Sequence, residues 1–173
     1  MKLSDRHRQF FRNDQFLHAF GINVAFNGVI AWLTLREHDA IPLWGEGAMG
    51  PDLLATGVLL PVIMTLIVSR VIGGQVAKGT LPLLDREIIA THGLHQRPAL
   101  VRGLVLALFA TLCGSLPIVA LLDLASAKPV SLWGFVTFKA LWAGALAASV
   151  SPPMAYWALA AATEANAETA SPA

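Results

Sequence analysis

An all-α polytopic membrane protein, a four-transmembrane-helix bundle with a short interfacial cytoplasmic helix, is the fold class this sequence predicts. Three observations predict it. The 173-residue chain is 55% hydrophobic and only 13% charged, whereas soluble domains carry about 25% charged residues. Its mean hydropathy is +0.62. Four apolar runs, 17–35, 53–72, 100–122 and 132–162, match or come close to the ~20 residues that cross a hydrocarbon core of ~30 Å. The runs are continuous rather than alternating, which favours helices over a barrel, and an open sheet would leave backbone groups unpaired in lipid.

The N-terminus, MKLSDRHRQFFRNDQFLHAF, is too polar before its first apolar run to be a cleaved signal peptide and is expected to stay in the mature protein. The first span carries Asn23 and Asn27 in FGINVAFNGVIAWLTLR. Residues four apart stack on one helical face. Each amide needs hydrogen-bond partners in lipid, so this face is expected to point at other helices, either as polar glue or as a substrate or ion contact.

The loop EHDAIPLWGEGAMGPD leads into the second span, and its glycine-rich GEGAMG follows no predicted strand and reads as a flexible turn. Pro61 interrupts the second span, Pro117 the third, and Pro152 with Pro153 the fourth. Proline in a membrane helix frees a carbonyl that nearby Ser, Thr or water can satisfy, and Thr65, Ser115, Ser149 and Ser151 lie close by. These breaks are read either as kinks or as the lining of a binding site.

Between the second and third spans runs GGQVAKGTLPLLDREIIATHGLHQRPAL. Leu84, Ile88 and Thr91 share a face over residues 83–92, with Pro82 suited to the first turn and Gly93 to the end, so a short interfacial helix is predicted there. Arg86, His92, His95 and Arg97 are expected to contact lipid headgroups. His92 and His95 are three apart, but Gly93 intervenes and no clustered Cys or carboxylate completes a zinc set. No metal site is expected.

The fourth span contains Lys139, the strongly basic residue set deepest within a span, in WGFVTFKALWAG. Either its stem snorkels to water, or its ammonium is buried against a carbonyl, an Asn oxygen or a carboxylate, for which Asp52 at the start of the second span is available. The motif PLWG at Pro42 is echoed by SLWG at Ser131, each followed by proline near the far end of its span. Such short matches arise by chance in apolar sequence; the other reading is a duplicated hairpin with a pseudo-two-fold axis along the membrane normal. Residues 1–162 form one predicted transmembrane domain, and 163–173, small and polar, are expected to be disordered.

Lys and Arg concentrate in the N-terminal segment and in the connection between spans two and three, which places both in the cytoplasm. An even number of spans returns the C-terminus to the same side. The expected location is the bacterial inner membrane. The single cysteine, Cys113, excludes an intrachain disulfide and reads as a small packing residue. With a net charge of +1 there is no nucleic-acid footprint. No GxSxG, HExxH or P-loop pattern and no intramembrane carboxylate pair appears, so neither enzymatic activity nor a cofactor is expected. The expected partners are membrane lipids, a second copy in a homodimer, and other membrane proteins. Asn23, Asn27, Lys139 and Asp52 lining a polar path lead to a permease-like or channel-like transporter of a small solute or ion. The alternative is a non-catalytic accessory or scaffold, or a lipid sensor acting through its cytoplasmic connection.

Overall fold

The computed structural model of this protein describes residues 17–170 apart from 86, 88 and 90–92. Four helices, α1 (His18–Leu35), α2 (Met49–Ala77), α3 (Ala99–Leu124) and α4 (Leu132–Ala170), are long and apolar enough to cross a membrane. At about 1.5 Å per residue, the 29 residues of α2 extend well beyond a ~30 Å hydrocarbon core.

The helices are connected as two hairpins, α1–α2 and α3–α4, although the two helices of each make few contacts with one another. At one end the α1–α2 and α3–α4 loops are joined by a short antiparallel pair, β1 (Ala40–Ile41) with β2 (Val130–Ser131), in which Ile41 faces Val130. We call this the strand end. The opposite end carries the α2–α3 connection. Helix α1 packs chiefly on α4, α3 packs on α2, and α2 packs on α4. Such contacts are those a two-fold axis between the hairpins would produce, and Ile41 and Val130 are the residues that precede PLW and SLW. The echo is imperfect in detail, because Leu43 and Trp44 lie in the loop before α2 whereas Leu132 and Trp133 open α4.

Glycine decides how closely two of these helices approach. A Cβ on Gly144 of α4 would lie 2.5 Å from Val24 Cγ2 and 3.1 Å from the Phe20 carbonyl oxygen of α1. Helix α2 ends in a Schellman motif: Gly79, at φ +68°, donates its N–H to Val76 O, and Thr80 N–H bonds Gln75 O. Helix α3 ends the same way with Ser126 at φ +48°, its N–H on Asp123 O and that of Ala127 on Leu122 O.

Five expectations need correction. Helix α4 continues to Ala170 where a disordered tail was expected from residue 163, because Thr163 is buried and donates to Leu159 O. The interfacial helix over 83–92 falls partly outside the described residues, but Leu83, Leu84, Asp85, Glu87 and Ile89 are not helical, and the helical turn is a 3-10 turn at Leu94–Gln96. Leu81 and Leu84 pack instead against Ile72, Val76 and the Ala155–Ala160 stretch of α4, and Leu84 N–H donates to Thr163 Oγ1. The helix runs on through Pro61 in α2 and through Pro152 and Pro153 in α4; the irregular turn is a π-helical one at Thr111–Ser115, just before Pro117. GEGAMG is a set turn, with Gly45 at φ +112°, Gly47 at φ +63° and Gly50 N–H on Leu43 O. Cys113 faces outward from the bundle.

Candidate functional site

Helix α2 is the axis of the polar interior. Asp52 lies in its first turn, where the helix N-terminus favours a carboxylate. Lys139, seven residues into α4, reaches it: Nζ donates to Asp52 Oδ1 at 2.5 Å. The lysine side chain is 3% exposed and the aspartate 31%, so the ammonium is desolvated while the carboxylate keeps partial access. Asp52 Oδ2 is buried with no hydrogen-bond partner among the described residues. A buried pair of this kind loses hydration on both ions and regains it only through close, well-aligned contact.

Toward the middle of α2, Pro61 lacks the N–H that Gly57 O would otherwise accept. Opposite Gly57 stands the π turn of α3. A Cβ on Gly57 would lie 2.1 Å from Ser115 Oγ and 3.2 Å from Thr111 Oγ1, so only glycine admits these hydroxyls. Both hydroxyls are buried without a hydrogen-bond partner among the described residues. Unpaired buried polar atoms are rare, and π turns inside α-helices are frequent at functional sites. The α2–α3 seam then continues past Thr65, which donates to Pro61 O and lies against Gly103.

At the connection end, Arg102 of α3 turns into the bundle and is 5% exposed. Its Nη1 donates to Trp157 O at 2.6 Å and its Nη2 to Ser69 Oγ at 3.3 Å, while Nε is buried without a partner. Neither of the ion pairs found among the described residues involves it. The interior thus carries Lys139 and Asp52 toward the strand end, hydroxyls at mid-depth and, at the other end, a guanidinium with no ion-pair partner among the described residues.

Of the residues expected to line a path, Asp52 and Lys139 come together, and Asn23 and Asn27 do not join them through any hydrogen bond found here. Asn27 is buried and Asn23 half-buried on α1, but each amide donates to the carbonyl one turn back, Asn23 to Ala19 O at 2.8 Å and Asn27 to Asn23 O at 3.1 Å. Asn23 Nδ2 also meets Met64 Sδ at 3.5 Å, which points this face at α2. Pro61 is buried in the α2–α3 seam, whereas Pro117 is exposed.

Among the expected headgroup contacts, Arg97 is exposed, and Arg86 and His92 lie outside the described residues. His95 is turned inward instead: it is 2% exposed and its Nε2 lies 3.2 Å from Glu164 Oε1, because α4 extends far enough to cover it. No group of three or more metal-ligating side chains occurs among the described residues.

Arg102, Ser69, Thr111 and the orphaned state of Ser115 were missed from sequence. Thr111 and Ser115 carried one legible signal, a four-residue spacing that puts both on one face of an apolar helix. Arg102 carried a misleading one, since it was counted with the basic residues at the span end. No protein-family model, curated protein or solved structure matches this chain.

Proposed function

We propose that this chain is a polytopic protein of the bacterial inner membrane, with both termini cytoplasmic, that works as a small permease-like or channel-like transporter of a small solute or ion. The observation that carries this reading is the Lys139–Asp52 pair inside an apolar bundle. Ionisable side chains within membrane spans are expensive to place, and where they occur they commonly mark substrate and ion pathways. Stability alone gives little reason to keep the pair, since hydrophobic residues of similar volume would serve as well or better.

The route runs along α2, from Asp52 and Lys139 past Gly57, Thr111 and Ser115 to Thr65, Ser69 and Arg102. It does not run along the asparagine face of α1, where each amide Nδ2 donates to a carbonyl of its own helix. Pro61 leaves Gly57 O without its helical donor, and the π turn of α3 sets the Ser115 and Thr111 hydroxyls against Gly57.

The test is stopped-flow light scattering of proteoliposomes after a jump in salt or in a neutral solute such as glycerol. Wild-type protein is expected to speed the volume change for one solute class, and Lys139→Met to remove that effect in protein that still folds. Relaxation indistinguishable from protein-free vesicles for every solute would remove the transport reading. Accessibility of single cysteines at Glu46 and Lys78, in a Cys113→Ala background, checks the orientation: Glu46 should label from outside and Lys78 from inside.

A further inference from the structure

The charges and hydrogen-bond donors of the α2–α3 seam name a substrate class. We propose that the seam passes a small inorganic anion of halide type, with Lys139 and Arg102 marking its two ends; this rests on the transport reading above.

The first argument is charge. Among the described residues the buried fixed charges are two cations, Lys139 and Arg102, and no carboxylate is buried; the partly exposed Asp52 pairs with Lys139 and the partly exposed Glu164 lies on His95. Asp52 is committed to Lys139, so the surplus positive charge lies at Arg102, whose described partners are a backbone carbonyl and a serine hydroxyl. A buried guanidinium without a counter-charge is costly, and an anion moving through the seam would relieve that cost. Fixed Arg and Lys charges are the groups that select anions in pores.

The second argument is the kind of polar atom left open. Along the route Arg102 Nε, Thr111 Oγ1, Ser115 Oγ and Asp52 Oδ2 are buried without a hydrogen-bond partner among the described residues, and the first three can donate. Nε–H is a donor with no acceptor function, and each hydroxyl has a proton to offer. Two open hydroxyls between Lys139 and Arg102, with the free Nε–H of Arg102 at one end, suit an anion. A cation route would want carboxylates and carbonyls, whereas the carboxylate on this route, Asp52, has Oδ1 on Lys139, and the ammonium there offsets the charge of its open second oxygen.

The third argument is size. At Gly57 the seam is so narrow that Ser115 Oγ occupies the space of a missing methyl group. A monatomic ion needs less separation of α2 and α3 than a phosphate or carboxylate compound. Passing Ser115 and Thr111, it would accept a hydrogen bond from each hydroxyl in place of part of its hydration.

The experiment uses the full chain in proteoliposomes and measures uptake of radiolabelled chloride, radiolabelled sodium and glycerol in parallel. It also measures the reversal potential of a planar bilayer across a potassium chloride gradient. Chloride uptake with a reversal potential following chloride is expected. Thr111→Val and Ser115→Ala should each slow chloride several-fold without loss of folded protein. Arg102→Gln should slow it by roughly tenfold or more, in line with the loss of a charge-assisted hydrogen bond. Because Arg102→Gln also weakens the tie to Trp157 O, Arg102→Lys is the control and should restore chloride uptake in part. Sodium or glycerol uptake without chloride uptake would overturn the anion proposal and leave transport standing. Movement of none of the three probes would overturn both. Chloride uptake unaffected by Thr111→Val, Ser115→Ala and Arg102→Gln would overturn the assignment to this seam.

Discussion

Removing either partner of the Lys139–Asp52 pair should destabilise the protein, but by unequal amounts. Asp52→Asn strands an ammonium that is 3% exposed, whereas Lys139→Met leaves a carboxylate that is 31% exposed and can recover some hydration. Breaking a buried pair from one side costs about 3–5 kcal/mol. We expect Asp52→Asn to fall in that range. The partial exposure of Asp52 screens its charge, so Lys139→Met should cost less, about 1–2 kcal/mol. The double variant Asp52→Asn, Lys139→Met removes both charges and should be more stable than Asp52→Asn alone, which requires a coupling larger than the cost of Lys139→Met, about 2–3 kcal/mol, within the range for residues in direct contact. The assay is reversible unfolding in mixed detergent micelles followed by tryptophan fluorescence, with all four proteins compared at the same micelle composition. Equal costs for the two single variants would refute the asymmetry. Additivity within about 0.5 kcal/mol would mean that the ammonium is not held by Asp52 at all.

Other expectations follow from packing and from chain ends. Gly57→Ala should cost about 1–3 kcal/mol, since its methyl group would overlap Ser115 Oγ, and adding Ser115→Gly should recover much of the loss in the same unfolding assay. Gly144→Ala should weaken the α1–α4 contact, while Gly21→Ala, with nothing within 4 Å of the added carbon, should be neutral or slightly stabilising in thermal melts. Ser126→Gly should stabilise by roughly 1 kcal/mol or less, because serine at φ +48° sits where glycine is unstrained. Truncation after Ala162 deletes Thr163 and Glu164, the partners of Leu84 N–H and His95, and should make the 81–97 connection far more sensitive to limited proteolysis. Unchanged cleavage there would show that the extended α4 does not hold the connection.

The number of helices and their approximate limits were legible because hydropathy acts locally: a run of apolar residues states its own length requirement without reference to any neighbour. The ends were less legible. Helix α2 begins at Met49 and runs to Ala77, past the apolar limits at 53 and 72, because the Schellman motif at Gly79 and the loop hydrogen bonds at Met49 and Gly50 set its termini. The last turns of α4 are small and polar and resemble a tail. They are helical because Thr163 and Glu164 find partners in the connection, more than sixty residues away in sequence.

The candidate site divides in the same way. Lys139 was conspicuous on its own, and Asp52 was nameable as the available acid within reach. Asn23 and Asn27 were equally conspicuous, yet each bonds a carbonyl of its own helix, a choice fixed by side-chain rotamer rather than by composition. Arg102 was hidden by its position near a span end, where arginine ordinarily snorkels to water. The sequence by itself determined how many apolar helices there are and which of their residues are polar. Only the tertiary structure decided that Arg102 turns inward onto Ser69 and Trp157, that Ser115 and Thr111 face Gly57, and that Lys139 meets Asp52. Those outcomes depend on the rotation of each helix about its own axis, and that rotation is set by which neighbours it packs against and not by any residue taken singly.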